Sequence, residues 1–142
     1  MIQRIQSLWL LLAAIVMATI FYFPTYVITG TTTAQNRTVG NDPLAIILAV
    51  LSIILSLVVL FRFKNRKSQL SLTWINILAC VGLQAWLFIG INNFRNTPEM
   101  AALPGHYWVG TFLPLVTLLL LFMARAGIRK DEKLVKSLDR LR

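Results

Sequence analysis

The sequence predicts an all-α membrane protein: a bundle of four transmembrane helices with a C-terminal cytoplasmic amphipathic helix. Three observations carry this. Hydrophobic residues make up 57% of the 142-residue chain and charged residues 13%, against about 25% charged in a typical soluble domain. A chain this short makes one domain, with too little interior to hide that much apolar surface from water. The apolar residues also gather into four runs, at about 8–26, 43–62, 70–91 and 107–126. Each is near the ~17–25 residues that a helix needs to cross ~30 Å of hydrocarbon. Finally, no run shows the apolar–polar alternation of a membrane β-barrel.

The first run follows Arg4 and continues through Ile20, Phe21, Tyr22 and Phe23. Val16-Met17-Ala18 weakly resembles a signal-peptide cleavage site, but the apolar run passes beyond it, so the segment reads as a retained helix. Ala14 and Ala18 give it a small-residue face. The loop TGTTTAQNRTVGND, rich in Thr, Gly and Asn, fits either an irregular loop or a small hairpin. Asn41-Asp42-Pro43 then supplies a polar N-cap and a proline at the first helical position. On the second span Ala45, Ala49, Ser52 and Ser56 share one face, at a spacing that lets backbones approach closely. Packing against the first span is the expected use, and another subunit would fit the same face.

The third span is the most polar. Asn76, Cys80 and Gln84 recur every four residues and so lie on one face. Amides in lipid want hydrogen-bond partners, and this face either turns into the bundle, or lines a small cavity or docks a foreign helix. In the loop NNFRNTPEMAALPGHYW, Thr97 can cap, Pro98 start and Pro104-Gly105 stop a short helix. Pro114 predicts a bend near one end of the fourth span, with Thr111 or Thr117 satisfying the backbone groups it frees. Gly127 is placed to bend or break the helix. The expected division is a transmembrane domain of residues 1–126 and a basic tail of residues 127–142.

Charge sets the orientation. Of the fourteen Lys and Arg residues, only Arg37 and Arg95 fall in the first and third loops. The others are Arg4, the group Arg62, Lys64, Arg66 and Lys67, and seven between Arg125 and Arg142. The positive-inside rule places both termini and the loop FRFKNRKSQ in the cytoplasm. The net charge of +9 therefore reads as a topology signal and an attraction for anionic lipid headgroups; no nucleic acid is expected.

Candidate chemistry is sparse. An ionisable residue deep in a membrane marks function by default, and every Asp, Glu, Lys and Arg here lies in a loop, in a tail or at a helix end. Cys80 is the single cysteine and His106 the single histidine. Cys80 has no base at hand, and His106 with Glu99 falls short of the roughly four ligands of a closed metal site. No catalytic residue, metal site or cofactor is expected. In the tail, Leu134, Leu138 and Leu141 form a narrow apolar stripe among Lys133 and other charges. This stripe either dips into the inner leaflet or enters a groove on a partner. The candidate contact residues are Arg62, Lys64, Arg66, Lys67, Lys133, Leu134, Leu138 and Leu141.

The start MIQRIQSLWLLLAAI, the loop FKNRK and the ending GIRKDEKLVKSLDRLR together resemble a family of small four-span inner-membrane proteins from Bacteroidota, defined as a domain of unknown function. The resemblance covers essentially the whole chain. It implies a bacterial inner membrane, where the Asn36-Arg37-Thr38 glycosylation pattern has no meaning. It brings no activity, cofactor or catalytic residue. The expected function is a non-enzymatic accessory or scaffolding subunit of a larger membrane assembly, in contact with the bilayer and with other membrane subunits. The alternative is a protein that binds lipid or a small solute through the Asn76–Cys80–Gln84 face.

Overall fold

The computed structural model describes residues 2–29, 36–62, 65–99, 101 and 103–139. The first helix, α1 (Ile2–Ala18), tightens into a 3-10 turn at Thr19–Phe21. Leu10, Ala13, Ala14, Met17 and Ile20 are buried, at the three- and four-residue steps of one helical face. Ala18 is exposed. It lies ~40° further round the helix than Ala14, so Ala13 and not Ala18 partners Ala14 on the packed face.

Helix α2 (Pro43–Phe61) opens with Asp42 as N-cap and Pro43 as first residue. The cap is made by the backbone: the Ile46 N–H donates to the Asp42 carbonyl at 3.1 Å. The Asp42 carboxylate is taken by Arg37, at 2.6 Å. Ala45, Ala49, Ser52, Ser56 and Val59 form the buried face. Helix α3 (Arg66–Arg95) is capped by Asn65, whose side chain accepts the Ser68 N–H at 3.3 Å.

The Thr97 hydroxyl donates to the Phe94 carbonyl at 2.8 Å. Thr97 therefore closes α3, and the short helix expected after it is reduced to a turn, with the Ala101 N–H on the Thr97 carbonyl at 2.9 Å. Gly105 begins a strand instead of ending a helix.

Among the described residues, three short strands cap one end of the bundle. They are β1 (Tyr26–Ile28), β2 (Asn36–Arg37) and β3 (Gly105–Tyr107), in the order β2-β1-β3 with both pairs antiparallel. Tyr26 pairs with Arg37 on one side and Tyr107 on the other. The first loop thus takes the hairpin alternative, and the third loop adds a strand to it. Because one sheet joins both loops, successive helices run in opposite directions. Helix α1 packs on α2 and α4, and α3 packs on the same two helices, which makes a four-membered ring.

Helix α4 (Val109–Asp139) is knotted to the first loop at this end. The Gly110 N–H donates to the Pro24 carbonyl and the Trp108 N–H to the Thr25 carbonyl, both at 3.0 Å. The Thr111 hydroxyl also donates to the Thr25 carbonyl, so it serves the loop and not the groups freed by Pro114. The Thr117 hydroxyl donates to the Leu113 carbonyl at 3.1 Å. At the other end α4 continues through Gly127. A Cβ there would lie 2.8 Å from Cγ of Gln6, and the next residue, Ile128, is buried. Gly127 is a point of close packing on α1, not a break.

Helices α2, α3 and α4 are each long and apolar enough to cross a membrane. Their outward faces carry large apolar side chains such as Ile47, Leu78 and Leu119, each more than 60% exposed. The apolar part of α1 with its 3-10 turn, Gln6–Phe21, is shorter.

Candidate functional site

The polar face of α3 is spent on α2. The Asn76 amide donates to Ser56 Oγ at 2.8 Å, and Ser56 Oγ donates to the Ser52 carbonyl at 2.9 Å. Ser52 Oγ and Cys80 Sγ lie 3.1 Å apart within one hydrogen bond. One turn on, the Gln69 amide donates to the Val59 carbonyl at 2.9 Å. The small residues of α2 are what admit this seam, because bulkier ones would hold the α3 amides out of reach. Gln84 departs from the pattern. It is 7% exposed, yet neither of its amide atoms finds a partner among the described residues.

The remaining candidates gather at the end of the bundle opposite the sheet. The Arg62 guanidinium donates to Ser68 Oγ at 2.9 Å. Arg66 pairs with Asp131 of α4 at 3.2 Å and also reaches its backbone carbonyl at 3.4 Å. Lys67 and Lys133 are exposed, and Leu134 is 44% exposed. Lys64, Leu141 and the Leu138 side chain lie outside the described residues. The structure brings Arg66 to the α4 tail, an ion pair between residues far apart in sequence.

A groove of about 500 Å³ opens on the adjoining face of α4, lined by Phe122, Arg125, Ala126, Arg129, Lys130 and Lys133. These residues recur at three- and four-residue steps, so one continuous helix presents them together. The lining holds four cations and no carboxylate. The Arg125 guanidinium stacks on the Trp74 ring of α3, 4.0 Å from its centroid, while its Nε is buried without a hydrogen-bond partner among the described residues. Of this group only Lys133 stands out in the sequence as a contact residue. The spacing from Phe122 to Lys133 is the signal that marks the others, and an expected break at Gly127 hides it.

No curated protein and no solved structure matches the chain. The family model described as Domain of unknown function (DUF4293) matches residues 2–141, and the chain belongs to that family.

Proposed function

We propose that the protein is a four-span integral protein of the bacterial inner membrane, with both termini in the cytoplasm. It acts without catalysis, as an accessory or scaffolding subunit that offers the inner end of α4 to a larger membrane assembly. The observation that carries this reading is the unbroken run of α4. Its 31 residues reach ~46 Å at 1.5 Å per residue, about 16 Å more than a hydrocarbon core of ~30 Å. The excess carries the basic residues and the exposed Leu134 and Val135 beyond the lipid. Arg66 pairs with Asp131 beside them. A rigid, charged helix with an apolar stripe is a form that partner grooves accept. The first span has support in length: seventeen α-helical and three 3-10 residues extend ~31 Å.

Topology is tested with membrane-impermeant maleimide. Cys80 is buried at 0% exposure and gives little background. Asn36→Cys should label in intact spheroplasts, and Ser137→Cys only after lysis; the reverse order sinks the orientation. The docking role is tested by purification in mild detergent with quantitative mass spectrometry. The full chain is compared with one stopped after Lys133, which keeps Ile128 and Asp131 in place. Membrane subunits held by the full chain and lost by the shorter one support the reading. An empty or identical partner set overturns it.

A further inference from the structure

We propose that the Phe122–Lys133 groove is a binding site for the headgroup of an anionic phospholipid from the cytoplasmic leaflet. This rests on the proposed orientation and on nothing about a protein partner. The occupant follows from where the groove sits and what lines it. Phe122 and Met123 are the last large exposed apolar side chains of the lipid-facing stretch, and Arg125 follows within a turn. Phosphates of a bilayer lie at that same boundary between apolar and charged surface. Four cations without a carboxylate match an anion, and the nearby Asp131 is already paired with Arg66. Ala126 provides the hollow between the longer side chains. Arg125 is held on the Trp74 ring, which fixes one cation at the rim. The groove lies in mid-helix, where backbone N–H groups are used internally, so side chains alone hold the phosphate. A free anion would use the same cations but would leave Phe122 idle. A lipid lays its acyl chains along Phe122 and the apolar face beyond it.

The test is native mass spectrometry of the full chain released from nanodiscs containing phosphatidylcholine with phosphatidylglycerol or cardiolipin. Retention of anionic lipid over phosphatidylcholine is expected. Arg129→Gln with Lys133→Gln should lower it about thirtyfold, given ~1 kcal/mol per cation near the surface. Ala126→Leu fills the hollow without changing charge and should also abolish retention. Arg62→Gln with Lys67→Gln removes two cations outside the groove and should leave it near the parent level. Equal losses in the groove and control pairs, or full retention by Ala126→Leu, would reduce the site to a diffuse basic surface and overturn the proposal. So would displacement of the lipid by millimolar inorganic phosphate, which marks a free-anion site. All three variants keep the chain beyond Lys133, so failure here is separable from failure of the docking role.

Discussion

Glycine-to-alanine exchange at two helical positions should move stability in opposite directions. Gly110 lies in the first turn of α4, against the chain that leaves α1. A Cβ added there would sit 2.5 Å from the Pro24 carbonyl oxygen and 2.7 Å from that of Phe23. Carbon–oxygen contacts need roughly 1 Å more than this, near the ~3.5 Å optimum for non-bonded atoms. Both obstacles are backbone, so no rotamer change relieves them. The α4 N-terminus must move away from the loop, stretching the bonds from Gly110 and Trp108 that hold it at 3.0 Å and the one from Thr111. Overpacking accounts for about 1–3 kcal/mol, and each weakened bond adds up to ~1 kcal/mol. Alanine returns up to ~1 kcal/mol of helix propensity. The net expectation for Gly110→Ala is a loss of about 2–4 kcal/mol. Gly82 in α3 is the control, because its Cβ would meet nothing within 4 Å. Gly82→Ala should be neutral or stabilising by up to ~1 kcal/mol. The assay is unfolding by SDS titration in mixed micelles, followed by circular dichroism. A Gly110→Ala chain within about 0.5 kcal/mol of the parent, the scatter of ordinary surface changes, would refute the close approach of α4 to residues 23–24.

Two further expectations concern the bundle. Gln84→Met removes a buried amide that lacks partners among the described residues at similar volume, and should stabilise by about 1 kcal/mol. Asn76→Ala breaks the bond to Ser56 and leaves a void, and should destabilise by about 1–2 kcal/mol; the same SDS titration reads both, and a stabilised Asn76→Ala would contradict the seam. Arg66→Ala should lower global stability by no more than ~1 kcal/mol. It should nonetheless raise amide exchange across residues 127–139, because the Asp131 pair is lost; unchanged exchange would mean that Ile128 packing alone holds this end.

Helix positions are legible because lipid makes hydrophobicity a nearly complete code for them: α2 starts at Pro43 as its cap and proline require, the run near 70–91 lies inside the longer α3, and the run near 107–126 overlaps α4, which starts two residues later at Val109 and continues to Asp139. What escaped depends on partners distant in sequence. Asp42 reads as a side-chain cap until Arg37 is seen to hold its carboxylate. Thr97 reads as a helix start because the same hydroxyl can serve a helix end. The small face of α2 is expected against α1, and α2 does pack there, yet Ser52 and Ser56 of that face bond to α3; spacing shows that a face is small and not every neighbour that uses it. The Asn76–Cys80 face was legible as a stripe, whereas the α4 groove was obscured by a glycine read as punctuation.

That glycine decides whether the groove exists as one object. If α4 broke at Gly127, then Arg129, Lys130 and Lys133 would leave the face that carries Phe122 and Arg125. Proline at this position makes the test. It removes the N–H that bonds back to Met123 and sets its ring against that carbonyl, which costs ~3 kcal/mol or more inside a helix. At a flexible joint the same exchange would cost almost nothing. Gly127→Pro should therefore destabilise by about 3 kcal/mol and release the Asp131 contact with Arg66. Gly127→Ala should cost far less, since the Cβ meets only the flexible Gln6 side chain, 2.8 Å away at Cγ. A Gly127→Pro chain with the parent's stability would show that bundle and tail are separate bodies, and the Phe122–Lys133 groove would then have no fixed shape to recognise a headgroup.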